Sequence, residues 1–188
     1  MTAFADLVEE FQSPVYNLCY RMLGEAAAAE NATQETFLRA FQHLDSYDPS
    51  RPFKTWLLSI ASHHCIDRLR RQHVTWLCVD DDLLLNQPAL REPSPGPEIA
   101  AIRREEGAQI QQLLDSLPPQ DRCAIILRHW YDLSYVEMAT ILGTTVSGVK
   151  SRLHRARLTL GNRLAPMVEG EPMQLADHAG SRGASCAF

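Results

Sequence analysis

The chain has 188 residues, 45% of them apolar, and a formal net charge of −5. That is enough apolar material for a core. No run reaches the ~18 apolar residues of a membrane-spanning helix, and no basic region followed by an apolar run opens the chain, so a cytoplasmic protein without membrane insertion is expected. Cys19, Cys65, Cys78, Cys123 and Cys186 are odd in number and form no CxxC pair, which points to reduced, mostly buried thiols rather than a disulfide framework.

Periodicity predicts an all-α chain of two small helical domains. Phe4, Leu7, Val8 and Phe11 give a first short helix; Ser13-Pro14 reads as the start of a second, with Val15, Leu18, Cys19 and Met22 inward and Gly24 at its end. A third runs from about Ala26 to Leu44, burying Phe37, Phe41 and Leu44 and showing Asn31, Gln34, Glu35 and Arg39 on its other face. Asp45 to Pro52 is a loop by its two prolines, and a fourth helix follows from Phe53 to about Gln72, packing through Trp56, Leu57, Ile60, Ala61 and Leu69.

The expected divisions are a first domain over 1–73, an acidic, proline-rich linker over 74–97 that lets the halves behave independently, a second domain over 98–165, and a disordered tail over 166–188. The second domain resumes with Ile99, Ile102, Ile110, Leu113 and Leu114, and turns at Leu117-Pro118-Pro119. Charge is unevenly divided: residues 51–73 carry +4 and residues 128–163 carry +4, two basic islands in an otherwise acidic chain. Local field governs recognition of an anionic polymer more than the total does, so two nucleic-acid contact surfaces are implied.

The most informative stretch is 133–157. Ser134 with Glu137 is a capping box that starts a helix at Tyr135, Val136, Ala139 and Leu142 give its apolar stripe, and Gly143 ends it. Thr144 then caps a second helix that buries Val146, Val149, Leu153, Ala156 and Leu160, so the pair forms a helix-turn-helix. Lys150, Ser151, His154 and Arg155 project from the buried stripe, with Arg152 and Arg157 at its flanks. Such a face suits a DNA major groove; the plain alternative is a solvated basic face on an ordinary helical hairpin.

Taken together, Gln34 to Phe41, Phe53 to Leu57, Ile66 to Arg71, Leu117-Pro-Pro119 and Leu133 to Arg157 resemble, in this order, bacterial sigma factors of the extracytoplasmic-function group. The resemblance implies a non-enzymatic subunit of RNA polymerase, without metal or cofactor, that directs promoter-specific transcription initiation. Asn31, Gln34, Glu35 and Leu38 would bind core polymerase, whose β′ clamp coiled coil and β flap are the implied contacts. Tyr47, Ser50, Arg51, Lys54, His63, Arg68, Arg70 and Arg71 would read and melt the −10 element. Thr145, Ser147, Lys150, Ser151, Arg152, His154 and Arg155 would read the −35 element. An anti-sigma factor is a further implied partner. This sequence departs from the family pattern at Asn31, where an aspartate is usual, and at His63-His64, where a polar pair with asparagine is usual.

Two other classes compete. A helix-turn-helix regulator acting without polymerase explains 133–157 but leaves the first domain unused. A metal-dependent hydrolase at His63, His64, Cys65 and Asp67 is opposed by helix geometry, since adjacent side chains diverge by about 100° and do not converge on one ion.

Overall fold

The computed structural model describes residues 2–78 and 107–169, with side chains over 4–72 and 107–165. Most of the expected linker and tail, and Ile99 and Ile102, lie outside them. Among the described residues every regular element is a helix: α1 (Thr2–Leu23), α2 (Ala26–Gln42), a single 3-10 turn (Leu44–Ser46), α3 (Phe53–Cys78), α4 (residues 107–115), α5 (Pro119–Trp130), α6 (Tyr135–Ile141) and α7 (Val146–Glu169). None is long and apolar enough to cross a membrane.

The two helices expected before Gly24 are one. Pro14 sits inside α1, at a cost of about 3 kcal/mol in lost hydrogen bonding and ring clash. Phe4, Val8, Phe11, Val15, Leu18 and Met22 recur at steps of three and four straight through Pro14, and all join the core or pack on it. Burying that continuous stripe offsets the proline. Gly24, at φ 77°, ends the helix.

On α2 the buried face is Ala28, Ala29, Ala32, Thr33, Thr36, Phe37 and Ala40. Small alanines let α2 lie close against α1, and the Thr33 and Thr36 hydroxyls return to the carbonyls of Ala29 and Ala32, each at 2.7 Å. Phe41 and Leu44, expected in the core, are instead 58% and 38% exposed. Leu44 lies past the end of α2 in the 3-10 turn, and Phe41 turns off the alanine face to meet the Phe4 ring of α1 edge-on at 5.2 Å; apolar character alone does not show which side is covered.

The expectation of two independent halves is corrected. Helices α1 and α3 pack against α5, α3 also packs against α6, and one continuous set of buried side chains runs through both halves. The cause is α5, in which every residue from Asp121 to Leu127 is buried. A helix buried all round needs cover on more than one side; α7 supplies it from its own half, α1 and α3 from the other. Polar groups of the second half also satisfy carbonyls near the end of α1, where no intrahelical partner exists. Arg122 donates to the Met22 carbonyl at 2.6 Å and Gln111 to the Arg21 carbonyl at 3.2 Å, while the Tyr131 hydroxyl donates to the Pro14 carbonyl. A Cβ at Gly24 would lie 3.2 Å from Gln111 Nε2, so glycine there serves the close approach as well as the turn.

Candidate nucleic-acid interface

The helix-turn-helix forms as its sequence predicts, with one shift of register. The Ser134 hydroxyl accepts from the Glu137 backbone N–H, and the Glu137 carboxylate accepts from the Ser134 N–H at 2.8 Å, closing the capping box. The Ser134 hydroxyl, donating to that carboxylate at 2.7 Å, and then the Ser134 N–H hold the Glu137 carboxyl below the usual carboxylate range. Gly143, at φ 58°, makes the turn. The residue capping α7 is Thr145 rather than Thr144: its Oγ1 accepts from the Gly148 N–H at 3.1 Å. Val149, Leu153 and Ala156 are buried, Val146 and Leu160 pack at the core edge, and Val136, expected inward, is exposed.

On α7, Ser147, Lys150, Ser151, His154 and Arg155 lie on the open side, as does Thr145 just before it. Lys150 leans toward Tyr135, its Nζ 5.9 Å from the ring centroid. Arg152 differs from the others. Only a fifth of its side chain is exposed; its Nη1 donates to Gln120 and stands 3.7 Å from Asp121. Its guanidinium is engaged inside the domain, away from the face that holds Lys150 and Ser151. Arg155 reaches solvent while its Nε and Nη2 donate to the two oxygens of Asp121, at 3.1 and 3.0 Å.

The residues assigned to the −10 element are not brought to one surface. At 100° per residue, His63 and Arg70 lie on nearly the same side of α3, Lys54 and Arg68 close to the opposite one. The loop end is built by aromatics: Tyr47 packs on Phe53 and Trp56, with ring centroids 5.3 and 5.2 Å away, and its hydroxyl donates to the Arg51 carbonyl at 2.6 Å. Ser50 donates its N–H to Asp48, which also pairs with Arg51 at 3.6 Å. Lys54 stands 5.7 Å from the Tyr131 ring of the second half. His63 bonds the Ser59 carbonyl through Nδ1, and its Nε2 lies 3.8 Å from where a Gly143 Cβ would stand. The side of α3 bearing His63 therefore faces the turn of the helix-turn-helix. Arg68, Arg71 and half-buried His64 lie toward Glu35 and Arg39 of α2; burial, and then Arg39, lower the His64 pKa.

On α2, Asn31, Gln34, Leu38 and Phe41 follow one another at steps of three and four along the exposed side. Leu38 is 51% exposed. Glu35 pairs with Arg39 at 2.6 Å beside this stripe. Leu38 and the outer side of Phe41, whose ring also meets Phe4 of α1 at 5.2 Å, make with their polar flanks a small patch suited to a protein partner. Phe41 reads as core from its hydrophobicity, so the sequence does not mark it for this surface. Nor does it mark Gln120, Asp121 and Arg122, whose partners lie 32, 34 and 100 residues away. An acidic residue in the first turn after Leu117-Pro-Pro119 looks like an ordinary helix start, and no local signal distinguishes it.

Two family models match the chain: Sigma-70 region 2 over residues 7–75, and Sigma-70 region 4 over residues 107–160. The ECF RNA polymerase sigma factor SigW of Bacillus subtilis (strain 168) is 37% identical over 167 residues, a span covering 86% of this chain and 89% of that protein. Among solved structures, CnrH in complex with the cytosolic domain of CnrY aligns with a TM-score of 0.64 at 25% identity, over 88% of this chain and 89% of that one. The sigma factor RpoE of Bartonella quintana, in complex with the anti-sigma factor NepR, shares the fold with a TM-score of 0.66 at 22% identity, over 88% of this chain and 98% of that one.

Proposed function

The chain belongs to the ECF RNA polymerase sigma factors, and from that premise we infer how its own residues direct promoter-specific transcription initiation. It acts in the cytoplasm, by binding energy rather than by catalysing a reaction. Core polymerase docks on the α2 stripe of Asn31, Gln34, Leu38 and Phe41, with Glu35 beside it. The exposure of Leu38 and Phe41 on a well-formed helix is the observation that carries this assignment. The side chains of α7 read the −35 element, and the Tyr47–Arg51 loop with α3 reads and opens the −10 element.

The docking of the two halves adds a step. Elements at −35 and −10 are about 25 base pairs apart, roughly 85 Å of duplex at ~3.4 Å per pair. A folded body of about 140 residues has a radius of gyration near ~14 Å. The docked chain cannot span both elements, and its His63 side faces Gly143. The halves therefore separate when the chain engages polymerase and promoter, and the docked form is the one an anti-sigma partner would hold.

A regulator that never joins polymerase would need the second half alone and gives α2 no task. Run-off transcription by core polymerase over a promoter library tests the reading. Start sites that depend on the chain and vanish with Glu35→Lys support it. Chain-dependent DNA binding without chain-dependent starts overturns it in favour of the regulator.

A further inference from the structure

Asp121 and Arg155 make a pair of unequal partners. The aspartate stands in the first turn of α5 with its side chain 5% exposed, while the arginine is 58% exposed on the outer side of α7. Their contact is two-pronged: both carboxylate oxygens accept, one from Nε at 3.1 Å and one from Nη2 at 3.0 Å. A guanidinium has five N–H donors in a rigid plane. When the Nε/Nη2 edge is held, the plane is fixed, and the Nη1/Nη2 edge points away from the carboxylate. That edge is the one that gives two parallel hydrogen bonds to a guanine edge or to phosphate oxygens. Arg152 closes the same cluster from the inside, on Gln120 and 3.7 Å from Asp121.

We propose that Asp121 is a positioning residue for DNA reading: it never touches DNA, but aims the free edge of Arg155 from the α7 surface. The proposal rests on α7 reading the −35 element. It makes Arg155, rather than Arg152, the arginine through which α7 discriminates, and it assigns a recognition role to a side chain outside the helix-turn-helix.

The sign of one substitution separates this role from plain electrostatics. Asp121→Asn removes a negative charge near DNA and frees a cation, so by charge alone it raises affinity for every sequence and steepens the salt dependence. If Asp121 aims Arg155, the same change lowers discrimination between the best and scrambled −35 sequences about tenfold or more, even as non-specific binding holds or rises. Asp121→Glu restores part of the discrimination. Arg155→Lys keeps the charge without the fork and loses discrimination as Asp121→Asn does, which keeps the test open if Asp121→Asn fails to fold.

The measurement is promoter binding by core polymerase carrying the full-length chain, over a library randomised at the −35 element, with thermal melts in parallel. Loss of discrimination in both variants with recovery in Asp121→Glu supports the proposal. A uniform rise in binding for Asp121→Asn, with the sequence profile unchanged, overturns it. If Asp121→Asn, Arg155→Lys and Arg155→Ala leave the profile intact while Lys150→Ala or Ser151→Ala alters it, the proposal fails and the reading by α7 stands. If none of them alters it, the reading by α7 fails too.

Discussion

Arg122 of α5 donates a 2.6 Å hydrogen bond to the carbonyl of Met22, a hundred residues earlier in the last turn of α1. The same Nη1 is 2.9 Å from the Asp115 carboxylate. Burial works against the charge and Asp115 supports it, but an arginine stays protonated at any relevant pH. One buried cation thus ties both halves together. Replacing it with methionine keeps much of the volume, removes the charge, and leaves the Met22 carbonyl without its donor. A buried polar group losing its partner costs about 1–3 kcal/mol. Arg122→Met is expected to lower the melting temperature and to separate the unfolding of the two halves, seen as a broadened or split calorimetric transition.

Cys123 gives the docked state a pH signature. Burial pushes its thiol pKa up to about 12, outweighing the opposing pull of the neighbouring Ser62 hydroxyl. The neutral thiol is favoured in the folded state, so the unfolded chain releases this proton first. The stability it contributes is fully present below the ordinary thiol pKa, near ~8.5, and is lost as pH rises toward the folded value. Urea titrations are expected to show stability falling between about pH 9 and 12, less steeply in Cys123→Ala than in the parent chain.

The α2 stripe predicts a separation of binding from folding. Glu35 and Arg39 form a partly exposed i,i+4 pair, a kind worth about 0.3–0.5 kcal/mol. Glu35→Lys is therefore expected to leave the melt nearly unchanged while abolishing capture of core polymerase, and Leu38→Asp is expected to do the same. Asn31→Asp, which restores the usual family residue, is expected to tighten capture several-fold. A pull-down with each variant beside a thermal melt checks all three.

Much of the second half was legible from local chemistry. The capping box, the glycine turn and the Val149/Leu153/Ala156 stripe are short-range patterns, and each depends on residues within a few positions. The first half was read less well where local rules conflicted with burial. Pro14 signals a helix start, yet the stripe from Phe4 to Met22 overrides it. Phe41 reads as core by its hydrophobicity, but α2 is covered on its alanine side. The joining of the halves was not legible, because Arg122–Met22, Gln111–Arg21 and Tyr131–Pro14 pair residues 90 or more positions apart. Helical spacing marks the basic face of α7, and the family resemblance its task, but neither shows which arginine a buried carboxylate holds.

The capping box offers a control confined to one element. Ser134→Ala removes the acceptor for the Glu137 N–H and is expected to cost about 0.5–2 kcal/mol. The loss should appear as a lower melting midpoint and weaker −35 binding by the polymerase complex, with capture of core polymerase unchanged.

If the docked chain opens to work, the distance between its halves grows when it engages polymerase and promoter. Donor and acceptor dyes on unnatural amino acids at exposed Glu9 of α1 and at Gly161 of α7, where a side chain would meet nothing within 4 Å, report that distance without touching the native cysteines. Energy transfer is expected to hold steady in the free chain and to fall when core polymerase and promoter DNA are added, in step with run-off transcription. Unchanged transfer in a complex that transcribes from its promoter would mean that the halves stay docked while the chain works.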